Sequence, residues 1–445
     1  MHKIVQTTII ILTLLLNNIS AKASNIDSLV EKSPIGKNST IAVSVKNVKT
    51  GRVIYEFNQH KLLNPASIQK VFTMRASYHQ LGKDFVFKTR VYTDNSNNLY
   101  IKLDGDPTLT TANLTVLLSS LPNKTYNDIV IDPFIFDNEE WGIGWMWDDN
   151  TSELLPKYSS FSVNENKISV TIKPSQNNKT PEIKNNNNYD IRFVNKLQNG
   201  TQNKIIIDRK PWQGADIVTL SGTVKSNAQI NIPVNSPEKN FMCELKTALK
   251  KANIKYTNIL IAPTPEKAEN IATLSSESLD KIIANTLKDS NNFYSEMIFK
   301  KASQNFTKEQ GTTLNAVKMF NKYYNDLKSD KIIVVDGCGI SRNNLITADW
   351  VTEALNKIYK EKDFDKFNIL LAKPMEGTLS NRLLNLSLKI RAKTGTASNI
   401  SSVVGYIETK NRDKYSFAII IQNHDKDNLA VKNFEDRIIN EIYND

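Results

Sequence analysis

Only two cysteines, Cys243 and Cys338, occur in 445 residues. A disulfide-stapled scaffold is excluded, and a chain of this length buries cores without staples. Two lone thiols are favoured over one bridge, because pairing demands a specific Cα approach that no sequence pattern here shows. Histidine is as scarce: after His2 only His60, His79 and His424 remain, none at metal-motif spacing. Gly339-Ile340-Ser341-Arg342-Asn343 lacks the closing glycine of a nucleophile elbow. Long apolar runs are missing too. Ile9 to Leu16 falls short of the roughly 20 residues of a membrane span, and no later segment offers one. No internal repeat stands out.

What the chain does have begins with a leader. Lys3, the apolar run and Ala21-Lys22-Ala23 read together as a cleavable signal peptide over 1–23. No cysteine follows the cleavage site, so lipidation is not expected, and the mature protein is placed outside the cytoplasm with no integral membrane span. Formal net charge is +11. The lysines are dispersed rather than interleaved with aromatics, and an exported protein seldom meets nucleic acid. The excess reads as a solvated basic surface attracted to anionic envelope polymers.

Thr40 to Phe57 alternates as a β-hairpin around Lys49-Thr50-Gly51. Pro65 then precedes a helix from about Ala66 to Gly82 with Ile68, Val71, Phe72 and Ala76 on its core side. From 84 to 263 the texture becomes short alternating runs, with Ser175 to Asn188 expected as an exposed loop. Helical periodicity returns over 276–306, 312–327 and 349–359. Strands follow at 388–393, 402–409 and 415–422, with a helix at 428–443. The pattern predicts an α+β body, residues 24–83 with 264–445, interrupted by a β-rich accessory insertion at 84–263 of two subdomains.

Three short motifs carry chemistry. S-x-x-K occurs three times, at Ser67/Lys70, Ser236/Lys239 and Ser278/Lys281. Only Ser67 opens a helix with a buried apolar face, where i to i+3 spacing sets hydroxyl and amine on one side. Ser236, followed by Pro237, reads as part of a polar turn and Ser278 as a polar helix start, while the bland reading of Ser67 is a capping or first-turn serine with a surface lysine. A serine hydroxyl becomes nucleophilic when a base takes its proton, and lysine serves once burial or a second cation disfavours its ammonium form. Lys-Thr-Gly occurs twice; Lys49-Thr50-Gly51 is a hairpin turn, whereas Lys393-Thr394-Gly395 ends an apolar strand and runs into Thr396. S-x-N occurs six times, at Ser96, Ser162, Ser175, Ser290, Ser303 and Ser341. Ser290-Asn291-Asn292 is preferred because it joins two helices between the other motifs.

With these motifs in the order Ser67/Lys70, Ser290/Asn292, Lys393/Thr394/Gly395, the chain resembles the DacB-type D-alanyl-D-alanine carboxypeptidase/endopeptidase family, the class C low-molecular-mass penicillin-binding proteins. Leu103-Asp104-Gly105-Asp106-Pro107-Thr108-Leu109, Gly144-Trp145-Met146-Trp147-Asp148-Asp149, Phe161-Ser162-Val163-Asn164-Glu165-Asn166 and Asp336-Gly337-Cys338-Gly339-Ile340-Ser341-Arg342 are similar to that family as well. Cys338 departs from it, standing where a serine is usual. The resemblance implies a penicillin-binding-protein/β-lactamase-like transpeptidase body and a bacterial, periplasmic or otherwise extracytoplasmic setting. It implies an acyl-enzyme on Ser67, Lys70 as base, and Ser290 as proton relay. Asn292, Lys393, Thr394, Gly395 and Thr396 would hold the substrate, and the amides of Ser67 and Thr396 would hold the oxyanion. Peptidoglycan stem peptides would be substrates and β-lactams covalent inhibitors, with no metal or organic cofactor. A serine β-lactamase is the nearest alternative, but its compact length and deacylating glutamate loop are missing. A catalytically silent envelope-binding protein of the same fold is the other.

Overall fold

The structure is a computed structural model that describes residues 25–176, 180–210 and 216–445. The expected signal peptide, 1–23, lies outside the described residues. The chain divides into two compact units, one of residues up to Arg75, Ala284–Ser290 and Asn321–Asp445, the other of Ala76–Ile283 and Asn291–Phe320. The sequence partition falls at 83/84 and 263/264, whereas the second unit also takes in Ala76 to Lys83, Thr264 to Ile283 and Asn291–Phe320, with the helix Asn292–Thr307.

In the first unit five antiparallel strands form one sheet, in the order Ile390–Ala397, Ile400–Glu408, Lys414–Gln422, Thr40–Asn47, Val53–Phe57. The two ends of the chain meet where Thr40 pairs with Gln422 and Asn47 with Tyr415. The central strands are buried on both faces. On one side Val43, Val45, Phe417, Ile419 and Ile421 share a core with Val431, Phe434, Ile438 and Ile439 of the helix Asn428–Tyr443. Each such side chain contributes about 1.5–3 kcal/mol by leaving water. On the other side the helix Ala348–Tyr359 packs by matched polar contacts: Ser44 Oγ to Thr352 Oγ1 at 2.8 Å, and Tyr406 Oη donating to the Leu355 carbonyl at 2.8 Å. The Lys49-Thr50-Gly51 copy is the hairpin turn, with Gly51 at φ 73°.

The second unit is less purely β than its sequence suggested. A five-stranded mixed sheet, ordered Asn258–Ile261, Asp128–Asp132, Leu99–Lys102, Lys88–Thr93, Glu269–Ser275, shares its core with the helices Thr111–Ser119 and Pro237–Lys251. Two three-stranded sheets enclose a separate core around Ile168, Val170, Val218, Leu220 and Ile232. The expected loop 175–188 contains a strand, Glu182–Asn185, paired with Lys167–Lys173; its alternating polar residues face solvent from one side of a sheet. Cys243 and Cys338 are both free thiols.

Candidate active site

Ser67 sits in the 3-10 turn Ala66–Ile68, which runs straight into the helix Gln69–Leu81. The turn is strained. Ala66 has φ 48°, a left-handed backbone that costs an alanine about 1–3 kcal/mol, and Asn64 Oδ1 accepts its N–H at 3.0 Å. One helical turn on, Lys70 Nζ lies 2.9 Å from Ser67 Oγ and donates to the Cys338 carbonyl at 2.8 Å. Lys70 is fully buried and Ser67 nearly so.

The loop supplying that carbonyl is organised by Asp336, also fully buried. Its carboxylate accepts from Gly339 N at 2.8 Å, Ser341 N at 2.7 Å and Asn344 Nδ2 at 2.8 Å. Gln69 Nε2 donates to the Asp336 carbonyl at 2.6 Å and Thr73 Oγ1 to the Gly337 carbonyl at 2.6 Å, so the loop is tied to the first turns of the Ser67 helix. Asn64 Nδ2 reaches the Ser341 carbonyl at 2.8 Å from the segment before Ser67. In sequence this stretch shows as a family likeness and as an incomplete nucleophile elbow, not as a support for Lys70. A buried aspartate among glycines, which offer free N–H groups to a carboxylate, was the available signal. At Cys338 the contact with Lys70 comes from the backbone, so the exchange of serine for cysteine leaves it in place.

A second serine–lysine pair lies in the same unit. Lys393 Nζ, fully buried, is 2.9 Å from Ser290 Oγ and 2.6 Å from the Thr394 carbonyl. Burial first, and then the charge of Lys70, hold the Lys393 ammonium well below the usual lysine range, while Asp289 acts the other way. Ser290 is half-buried with φ 62°, held in a left-handed turn at the end of the helix Leu279–Lys288.

Lys393 belongs to Ile390–Ala397, an edge strand of the sheet. Its inner neighbour pairs residue by residue, Lys393 with Val404 and Gly395 with Ser402. The outer edge meets an isolated bridge at Ala372↔Ala392, just before Lys393. An edge strand offers unpaired backbone groups on which an extended peptide can be hydrogen-bonded. Gly395 is required there: a Cβ would fall 2.3 Å from Ser402 Oγ and 3.0 Å from Ser67 N. The strand therefore lies directly against the Ser67 amide. Ser402 Oγ donates to the Pro65 carbonyl at 2.8 Å, fixing the same junction. Thr394 Oγ1 is 2.7 Å from Thr378 Oγ1, and Thr396 is exposed. Thr378 follows Gly377, where a Cβ would strike the Lys288 carbonyl at 2.1 Å; with the Lys288–Glu376 ion pair at 3.0 Å this ties the Ser290 turn to the segment beside the strand. Neither Thr378 nor Glu376 was singled out from sequence.

The structure thus gathers Ser67, Lys70, Ser290, Lys393 and Gly395 in one unit. Asn292 begins the second unit's helix, capped by Asn291, and its Nδ2 donates to the Leu154 carbonyl at 3.0 Å. The rival S-x-x-K copies have other roles. Ser236 caps the helix Pro237–Lys251 by accepting from Lys239 N at 3.3 Å, and exposed Lys281 pairs with Glu277 at 2.9 Å.

The D-Ala-D-Ala carboxypeptidase 3 (S13) family matches residues 22–441. The chain belongs to that family. It is a serine-type D-Ala-D-Ala carboxypeptidase with a penicillin-binding-protein fold. The D-alanyl-D-alanine carboxypeptidase DacB of Haemophilus influenzae is 23% identical over 460 residues, covering 94% of each chain. The D-alanyl-D-alanine carboxypeptidase of Actinomadura sp. (strain R39) is 24% identical, over 90% of this chain and 80% of the relative. The crystal structure of penicillin binding protein 4 (dacB) from H. influenzae superposes with a TM-score of 0.83 at 22% identity, over 94% of this chain and 99% of that one. The same protein is also known in complex with a β-lactam.

Proposed function

We propose that Ser67 is the nucleophile and Lys70 its base in the cleavage of D-alanyl bonds of peptidoglycan stem peptides, the first unit being the catalytic body and the second the accessory part. The observation that carries this reading is the 2.9 Å contact between Lys70 Nζ and Ser67 Oγ inside a buried site backed by a second lysine. Desolvation and like charge oppose two protonated amines in one buried site, so one of them is available to accept a proton. Lys70 takes the Ser67 proton as Oγ attacks the penultimate D-alanyl carbonyl. The oxygen that gains the electron pair is held by the amides of Ser67 and Thr396, the strand of Gly395 lying against the first of these. The C–N bond then breaks, and Ser290, hydrogen-bonded to Lys393, relays to the leaving amine the proton that Lys70 took. Water adds to the acyl carbonyl in the second half and frees Ser67.

Asn292 orients the substrate amide, while Lys393, Thr394 and Thr396 receive the terminal carboxylate. Cross-linked peptides are substrates by the same chemistry, since only the leaving amine differs. β-Lactams acylate Ser67 and persist because the retained adduct shields the ester from water. Residues 1–23 direct export to the periplasm or an equivalent compartment; no described helix is long and apolar enough to cross a membrane. The test is to treat purified mature protein with a penicillin, map the adduct by peptide mass, and incubate enzyme with uncross-linked and cross-linked muropeptides. An adduct on Ser236 or Ser278, or no released D-alanine or cleaved dimer, overturns the assignment.

A further inference from the structure

The peptide unit between Pro65 and Ala66 is gripped at both ends by side chains. Ser402 Oγ donates to its carbonyl at 2.8 Å, and Asn64 Oδ1 accepts its N–H at 3.0 Å. Both side chains are buried. Asn64 is itself fixed, its Nδ2 donating to the carbonyls of Ser341 at 2.8 Å and Asn344 at 3.2 Å, and its N–H to Gln422 Oε1 at 3.1 Å. Ser402 stands on the strand Ile400–Glu408, opposite Gly395. Its hydroxyl uses the room that glycine leaves, since a Cβ at 395 would lie 2.3 Å from Ser402 Oγ and 3.0 Å from the Pro65 oxygen.

The next peptide unit, Ala66–Ser67, is held independently. Its carbonyl accepts from Gln69 N in the 3-10 turn and packs on Gly339, where a Cβ would fall 2.0 Å from the Ala66 oxygen. Peptide planes are rigid, so two planes pinned in this way leave only the rotations at Ala66 to join them. They meet at φ 48°, a conformation that the alanine Cβ disfavours. The two grips supply what the residue's own preference refuses. The same rotation fixes where the second plane carries its N–H, the Ser67 amide, which lies 3.0 Å from the missing Cβ position of Gly395.

We propose that Ser402 and Asn64 are positioning residues: they hold Ala66 in its left-handed conformation and so aim the Ser67 amide at the oxyanion and Ser67 Oγ at the scissile carbonyl. The roles of Ser67 are those of the functional reading above, on which the proposal rests. Neither side chain touches the reacting atoms in this scheme. Freed of the Ser402 grip, Ala66 relaxes toward negative φ, and the amide turns away from the point where charge develops.

The test is a cycle of Ser402→Ala, Ala66→Gly and the double variant, read by penicillin acylation kinetics, by the infrared ester carbonyl band of the acyl-enzyme and by thermal midpoint. Ser402→Ala should acylate roughly ten- to a hundredfold more slowly at saturating penicillin, less than the 10²–10³ typical of an oxyanion donor removed outright, with the half-saturating concentration unchanged. Its carbonyl band should move to higher wavenumber, because the ester oxygen is less well hydrogen-bonded. Glycine takes positive φ about as readily as negative, so the double variant should regain about threefold or more of the lost rate. In stability the two changes should not add. Ala66→Gly relieves strain only while Ser402 enforces it, so it should benefit the wild-type background more, the missing methyl cancelling across the cycle. Ser402→Cys, a weaker donor, should shift the same readouts by less and serves if Ser402→Ala folds poorly. Unchanged acylation and an unchanged carbonyl band in folded Ser402→Ala overturn the proposal, as does a double variant no faster than Ser402→Ala. A wild type that takes no adduct on Ser67 defeats the functional reading instead; the midpoint cycle then decides whether the grip on Ala66 exists, additive effects overturning it.

Discussion

Two serine–lysine pairs in the first unit have the same Nζ to Oγ separation, 2.9 Å, and are built in opposite ways. Ser67 and Lys70 are three residues apart on one helix, so their contact follows from helical geometry. Ser290 and Lys393 come from a turn and a strand 103 residues apart, and only the completed sheet brings them together. The local pair is locked from behind by the Asp336 loop, whereas the distant pair sits at a sheet edge with Ser290 half-buried. On the function proposed above, the local pair would form the acyl-enzyme and the distant pair would return a proton to the leaving group.

The sharpest way to break this comparison is to remove each serine in turn. Ser67→Ala is expected to abolish the covalent β-lactam adduct entirely. Ser290→Ala should retain the adduct but acquire it roughly 10²–10⁴ times more slowly, the usual range for a lost proton-transfer group. Intact-protein mass measured against time separates the two outcomes, and an adduct on the Ser67→Ala protein would exchange their roles.

Lys70→Arg comes next. The variant keeps a cation but cannot surrender its proton at usable pH, so acylation should fall by roughly 10²–10⁴. Near-normal acylation by a folded variant would mean that another group, with Lys393 first in line, activates Ser67.

Lys393 sharpens the comparison through pH. Coulombic repulsion between the two lysines is mutual, so Lys393→Ala leaves Lys70 the easier holder of the site's proton. The acidic limb of the acylation profile should then move upward. Stability should move the other way. In the unfolded chain this lysine is protonated below about 10.5, whereas in the fold its proton is held far more weakly, so the unfolded state binds more protons between the two values. Stability of the wild type therefore rises with pH across that window, and the lysine is a net cost at neutral pH. Lys393→Met should be more stable than wild type at pH 7, the advantage shrinking as pH approaches 10.5. Parallel slopes for both proteins in pH-dependent unfolding would show that Lys393 keeps its proton in the fold.

How much of this was legible follows from sequence distance. The helix expected from about Ala66, the hairpin at 40–57 and the final helix at 428–443 rest on local periodicity, and their observed bounds lie within a few residues of the expectation. The choice of Ser67 over Ser236 and Ser278 also rested on local context, a buried apolar helix following the serine. The Asp336 loop leaves a signal in its aspartate among glycines, but its tie to the Ser67 helix is not legible, because Gln69, Lys70 and Thr73 meet it at backbone carbonyls that carry no residue identity. The helices Thr111–Ser119 and Pro237–Lys251 hid among strand-like runs, the second behind a serine that was read as part of a polar turn.

The smallest expected effect tests that backbone argument directly. If Lys70 is held by the carbonyl of residue 338, then Cys338→Ser should leave acylation unchanged. Its hydroxyl would replace a thiol that lies 3.9 Å from Asp336 Oδ2, offering a better donor to the same carboxylate. The change in stability should stay within about 1 kcal/mol, since a buried pocket is kept at nearly the same volume. The neighbouring Gly339→Ala provides the contrast. A Cβ there would sit 2.0 Å from the Ala66 carbonyl oxygen on a backbone at φ 85°, so the loop must move away from the Ser67 turn. That variant should lose about 1–3 kcal/mol to backbone strain alone and should also acylate more slowly, because the displaced loop carries the Lys70 carbonyl with it. Chemical denaturation and acylation rates on the two variants together decide the point. Slow acylation in Cys338→Ser, with normal rates in Gly339→Ala, would show that the side chain and not the backbone positions Lys70.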